Sequence, residues 1–138
     1  MSSDKFATAI TCIDGRVQQP IMDWVKLHVN VHHVDLVTEP GPDKVLSRES
    51  TYVVDEIIRK VSFSIRHHQS NVVAISGHHD CAANPSTREE HLAQIQEAVQ
   101  VLLSYRLEAR ILGLWLNEWQ SVELICDTKE KFQPTGSW

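Results

Sequence analysis

Two short stretches hold side chains whose types and spacing suit chemistry at a metal: Cys12-Ile-Asp14-Gly-Arg16 and Gly77-His78-His-Asp80-Cys81. Thiolate sulfur and imidazole nitrogen are the donors zinc prefers. Three protein ligands with a fourth position open to water make a catalytic rather than a structural site. A His-x-x-Cys spacing inside a tight turn can bring both side chains to one ion. With 8 His and 3 Cys in 138 residues such a spacing also arises by chance, so its weight depends on where the fold puts it. The competing reading takes Cys12 and Cys81 as small buried hydrophobes at strand ends and His78 as a turn cap. Asp14 and Arg16 have the groups for a two-pronged carboxylate–guanidinium pair, against the plainer reading of a surface ion pair that contributes little.

The elements that must position these residues follow from hydrophobic periodicity. The apolar run from Lys5 to Cys12 predicts a buried strand. Ile21, Trp24, Val25 and Val29 then recur at helical spacing, with Pro20 tolerated in the first turn. His33–Thr38 reads as a second strand, closed by Glu39-Pro-Gly-Pro42, which is expected to interrupt regular structure. The role of Glu39–Leu46 stays open between a turn and a wall of the pocket. From Arg48 to about Arg66 a stripe through Val53, Val54, Ile57, Ile58, Val61 and Ile65 predicts a long amphipathic helix. Asn71–Ser76 is a strand that Gly77 ends. Ser86-Thr-Arg-Glu89 fits a capping box opening a helix through Leu92, Ile95, Val99, Leu102 and Leu103. Arg110–Trp115 and Ser121–Cys126 complete the set as a hairpin.

Strand and helix alternate, which predicts an α/β domain: a mostly parallel sheet with helices on both faces. Ligands in such sheets sit beyond the carboxyl ends of strands where the order reverses, and a 2-1-3-4 order puts that reversal between the first and third strands. Those strands end at Cys12 and Gly77, so two thiols and an imidazole are expected to meet in one crevice. Cys126 lies apart from them and reads as a core residue. Trp115 and Trp119 flank the hairpin and read as cover for the core or for a dimer interface.

Composition narrows the partners. Residues 1–138 read as a single domain, with 127–138 as a loose tail. The hydrophobic share is 42% and the charged share 22%, with 5 Gly and 5 Pro, so disordered, collagenous and coiled-coil classes are excluded. A net charge of −5 without a basic block gives no support for nucleic-acid binding. No basic leader and no long apolar run point to export or membrane insertion, and three Cys favour metal ligation or buried thiols over disulfides. A cytoplasmic protein with a small-molecule substrate is expected. Adjacent pairs such as His32-His33, His67-His68 and His78-His79 cannot share one face, so most His are expected at the surface. His79 reads as a solvated loop residue rather than a proton relay, and Asp80 as an orienter of the turn or of a ligand.

Taken together, Cys12-x-Asp14-x-Arg16 and Gly77-His78-x-Asp80-Cys81, each after a strand, resemble the zinc motifs of the β-class carbonic anhydrases. The resemblance runs from the first strand to the fourth. It implies Zn²⁺ as cofactor, held by Cys12, His78 and Cys81, with Asp14 and Arg16 as the dyad that controls the fourth metal position. It also implies a sheet in 2-1-3-4 order with an added edge strand, and assembly into a homodimer or higher homo-oligomer. Three departures stand out: the short chain with no N-terminal helical arm, Ala82 where the family has Gly, and Thr38–Leu46 in place of its Arg-Asn-Ala-Gly segment. The implied activity is reversible hydration of CO₂ to bicarbonate. Alternatives are hydrolysis of COS or CS₂ on the same site, and a zinc-binding module without turnover.

Overall fold

A computed structural model describes residues 4–48 and 51–129. Five strands form one sheet: β1 (Phe6–Thr11), β2 (His33–Thr38), β3 (Val72–His78), β4 (Arg110–Leu116) and β5 (Val122–Asp127), in the order β2-β1-β3-β4-β5. The first four are parallel, and β5 adds antiparallel to β4 through the expected hairpin. Helices α1 (Gln18–His28), α2 (Pro42–Arg48), α3 (Thr51–His68) and α4 (Arg88–Ser104) supply the crossovers. The α/β reading is as the sequence pattern predicts, and the strand order is as the resemblance implies.

The two-residue period of the strands sorts the core into two layers. Ile10, Val73, Ile75 and Ile111 point to one face and pack with Ile57 and Val61 of α3 and with Ala98, Val99 and Leu102 of α4. Ala7, Ala9, Ala74, Leu112 and Leu114 point to the other and pack with Ile21 and Val25 of α1; Cys12 and Cys81 belong to this second layer. A strand buried on both faces has no polar side to show. All seven residues of β3 are accordingly buried.

Three boundaries differ from the sequence reading. Glu39-Pro-Gly-Pro42 does not only interrupt: Pro42 opens α2, because a residue without an N–H loses nothing in the first helical turn. The helix expected from Arg48 to about Arg66 falls in two described elements. Arg48 closes α2, and the amphipathic stripe belongs to α3, which runs on to His68. The capping box sits one residue later than predicted: Thr87 Oγ1 accepts from the Glu90 amide at 3.1 Å, and Glu90 Oε1 accepts from the Thr87 amide at 2.8 Å. Ser86 is occupied elsewhere, donating to Asn84 Oδ1 at 2.7 Å.

Asp127 and Thr128, the first residues of the expected loose tail, are held in place. Asp127 ends β5 in a paired ion bridge with Arg110 (3.0 and 2.8 Å), and Thr128 is buried, its Oγ1 accepting from the Ile111 amide. Residues 130–138 lie outside the described residues. Cys126 is half-buried against the core and Trp115 is buried, whereas Trp119 is 76% exposed. Among the described residues no helix is long and apolar enough to cross a membrane.

Candidate metal centre

β1 and β3 run parallel as neighbours, with Ile10 beside Ile75, and both deliver their carboxyl ends to the same edge of the sheet. Cys12 follows β1 directly. His78 is the last residue of β3, two residues further than the sequence reading, which ends the strand at Ser76 with Gly77 as its stop. After it the chain turns through His79 and Asp80 to Cys81. Asp80 has a left-handed backbone (φ 61°), a conformation that Asp tolerates better than most residues. Cys12, His78 and Cys81 are each buried, 4 to 5% exposed, and one ligand atom of each lies within 4.8 Å of the others. The two sulfurs are 3.8 Å apart. The three residues that the spacing singles out are thus brought to one point.

The imidazole of His78 is oriented by its own loop. Its Nδ1 lies 2.8 Å from the His79 carbonyl and donates to it, so the other nitrogen carries the lone pair. That Nε2 is buried and has no hydrogen-bond partner among the described residues. An unsatisfied buried polar atom costs about 1–3 kcal/mol, a cost that a cation at the lone pair removes. Burial also lowers the His78 pKa, which keeps the ring neutral and able to ligate. The Cys81 thiol is pushed up to about 11, first by burial and then by the charge of Cys12 beside it. A thiol that resists ionisation, crowded against a second sulfur and next to a lone pair without a donor, fits a divalent soft-ligand cation, which reverses the electrostatics by supplying the missing positive charge. The donor set is the one zinc takes.

Asp14 and Arg16 form the two-pronged pair. Arg16 Nε donates to Asp14 Oδ1 at 3.0 Å and Nη2 to Oδ2 at 2.6 Å, while the Arg16 amide also donates to Oδ1. The guanidinium bonds hold the Asp14 carboxyl well below the usual carboxylate range, and the same bonds raise Arg16. Arg16 reaches the second motif as well: Nη2 donates to the Asp80 carbonyl at 3.1 Å, and Nη1 lies 3.4 Å from Asp80 Oδ2. Asp80, expected to orient the turn, does so by tying it to Arg16. His79 is exposed, as expected. A cleft of about 90 Å³ opens beside these groups between Arg16, His78, Asp80, Asn117 and Gln120. Pockets for drug-sized ligands run from about 300 Å³ upward, so this one suits a very small molecule.

The sequence reading missed a second set of polar residues. On the opposite face of β3 from His78, Asp43 of α2 is 1% exposed and meets Asn84, His91 and Gln94, all buried. A signal for His91 was available, since it falls in register with Ile95, Ala98 and Leu102 on the buried stripe of α4. Asp43 had no such signal, because Gly-Pro-Asp reads as a turn.

Residues 2–126 match the family model described as "Putative carbonic anhydrase". Two solved structures share the fold. One is from a pair of tetrameric β-carbonic anhydrases of the filamentous ascomycete Sordaria macrospora, with TM-score 0.58, 10% identity, and 94% of this chain and 84% of that chain covered. The other is a carbonic anhydrase from Glaciozyma antarctica, with TM-score 0.56, 15% identity, and coverage of 86% and 81%. No curated protein matches the chain. At such identities the structural likeness speaks for the fold, and the family match speaks for descent. Together they make this chain a divergent member of the β-carbonic anhydrase family.

Proposed function

We propose that the protein catalyses the reversible hydration of CO₂ to bicarbonate with Zn²⁺ held by Cys12, His78 and Cys81. The observation that carries this reading is the orphaned Nε2 of His78, within reach of two buried thiols and beside a carboxylate held in place by Arg16. Zinc, when bound, supplies a Lewis acid that brings the pKa of water down to about 7. The chain's own residues do the rest. His78 keeps its ligating nitrogen free by donating from Nδ1 to the His79 carbonyl. Asp14 stays ionised at every working pH and accepts a proton-bearing donor at its carboxylate, which aims a water oxygen. Arg16 fixes the direction of that carboxylate with two donors, and its planar fork leaves Asp14 little freedom to turn toward the thiols. The small cleft holds substrate close to these groups.

Self-association belongs to the same reading. The related Sordaria macrospora enzymes are tetrameric, and the hairpin here leaves Trp119 and Leu124 exposed beside an edge of β5 that no described strand pairs. A homo-oligomer in the cytoplasm is the working assignment, and sedimentation at micromolar concentration should give a species larger than the monomer.

Stopped-flow CO₂ hydration on zinc-loaded protein tests the function. A rate well above buffer between pH 7 and 9 is expected. A background rate at full zinc occupancy refutes catalysis of this reaction, and hydrolysis of COS or CS₂ by that same sample would identify the alternative substrate.

A further inference from the structure

The turn that carries Cys81 is gripped from the far side of the sheet. Asp43 sits in the first turn of α2, and its carboxylate takes three donors: His91 Nδ1 at 2.6 Å, Asn84 Nδ2 at 3.1 Å and the Lys44 amide at 3.0 Å. Asn84 closes the turn after Cys81. Its amide donates to the Cys81 carbonyl at 3.2 Å, and its side chain gives its second N–H to Gln94 Oε1 at 2.7 Å. Ser86 donates to the Asn84 Oδ1, so every polar position of that side chain is used. Two glycines make the approach possible. A Cβ on Gly77, the residue before His78, would collide with Asp43 Oδ2. Gly41, with φ 58°, brings its backbone so close that a Cβ there would lie 3.3 Å from the Cβ atoms of Ala83 and Asn84.

We propose that Asp43 is a positioning residue of the metal centre: through Asn84 it fixes the Cys81–Asn84 turn, and with it the place of the Cys81 sulfur. The proposal rests on the zinc reading above and adds a function for the segment between the second strand and the long helix. Two acceptor oxygens are required. An amide at this position offers one acceptor and one donor group to three donors, so Asp43→Asn leaves an N–H facing another N–H in a dry site. Partners of this kind that hold ligand-bearing segments typically change metal affinity by about 10–100-fold when removed.

The test compares wild type, Asp43→Asn and Asn84→Ala, with Ser64→Ala at the other end of the sheet as a control for lost stability. Zinc transfer from the folded proteins to excess chromophoric chelator should be about 10–100-fold faster in both network variants and unchanged in Ser64→Ala. Cobalt-loaded samples should show shifted ligand-field bands in the network variants alone. Folded Asp43→Asn or Asn84→Ala that releases zinc within twofold of wild type, with an unaltered cobalt spectrum, overturns the proposal. If Asp43→Asn does not fold, Asn84→Ala decides, because it leaves Asp43 bonded to His91. If wild type takes up no zinc, the proposed function falls, and amide exchange separates the two ideas: faster exchange at residue 84 in metal-free Asn84→Ala supports the positioning role, and equal exchange refutes it.

Discussion

The two ends of the sheet carry polar clusters built from similar residues, yet they differ in how their hydrogen bonds close. At the amino ends of the strands, Asp35 of β2 accepts from His68 Nδ1 at 2.6 Å and from Ser64 Oγ at 2.8 Å, both on α3. Behind Ser64 the hydroxyls of Thr8 and Ser70 continue the chain at 2.7 Å each, and Ser70 also reaches the Val72 carbonyl. Ser64 donates to Asp35 and so accepts from Thr8, while the single Ser70 proton serves either Thr8 or the Val72 carbonyl, and every hydroxyl has a partner. At the carboxyl ends, two buried thiols sit 3.8 Å apart and a buried imidazole nitrogen has no partner among the described residues. A His–Asp–Ser group is thus no evidence of chemistry when each member is satisfied. An unsatisfied, desolvated set of ligand atoms is such evidence, because folding leaves few buried polar atoms unpaired and this one faces two buried sulfurs.

The largest effect expected from that contrast is on metal content. Cys81→Ser should lose most of its zinc by elemental analysis, while Cys126→Ser, altered at a half-buried residue away from the cluster, should keep one zinc per chain. Equal zinc in both would place the ion elsewhere. Next comes the dyad. Arg16→Ala should retain zinc and lose about 100-fold in CO₂ hydration, the scale for removing a preorganised electrostatic partner. Wild-type rates in this variant would reduce the pair to a structural role. Asp14→Asn should also stay loaded and slow, and X-ray absorption should separate the two by whether a carboxylate oxygen joins the metal.

A smaller and graded effect follows from protonation. The ligating form of Cys81 is the thiolate, and its thiol is pushed up to about 11 without metal, so binding at neutral pH must displace that proton. Zinc affinity should therefore rise by about tenfold per pH unit for each thiol proton released between pH 7 and 9, and fall correspondingly on acidification. Burial lowers the His78 pKa, so this ring adds no proton release over that range. A flat affinity from pH 7 to 9, measured by chelator competition, contradicts the assignment of a thiol ligand. The smallest effect belongs to the satisfied end. Ser64→Ala should cost about 1–2 kcal/mol of stability in chemical unfolding and leave zinc content unchanged.

Much of this arrangement was legible in the residues. Parallel strands buried on both faces carry continuous apolar runs, so β1 and β3 are visible without tertiary information, and the alternation with helices limits the topology to few orders. Once strand ends are known, the ligand set follows, because parallel neighbours deliver what comes after them to one edge. The boundaries near Pro42 and Ser86 were less legible for a local reason. Proline serves a turn and a helix start equally well, and Ser86 and Thr87 both have a Glu three residues on; which one caps depends on Asn84 claiming Ser86.

What the sequence determined by itself was therefore the α/β class and the strand ends that carry Cys12, His78 and Cys81, which rest on periodicity and chain connectivity, while the 2-1-3-4 order that makes those ends meet was implied by the resemblance of the two motifs. Tertiary structure alone decided which polar atoms remain without partners, that Arg16 spans both motifs through Asp80, and that Asp43 crosses to Asn84 and His91. Those facts depend on contacts between residues far apart in the chain. Hydrophobic period carries no information about them, because a buried hydrogen bond is set by the direction of two side chains and not by their polarity.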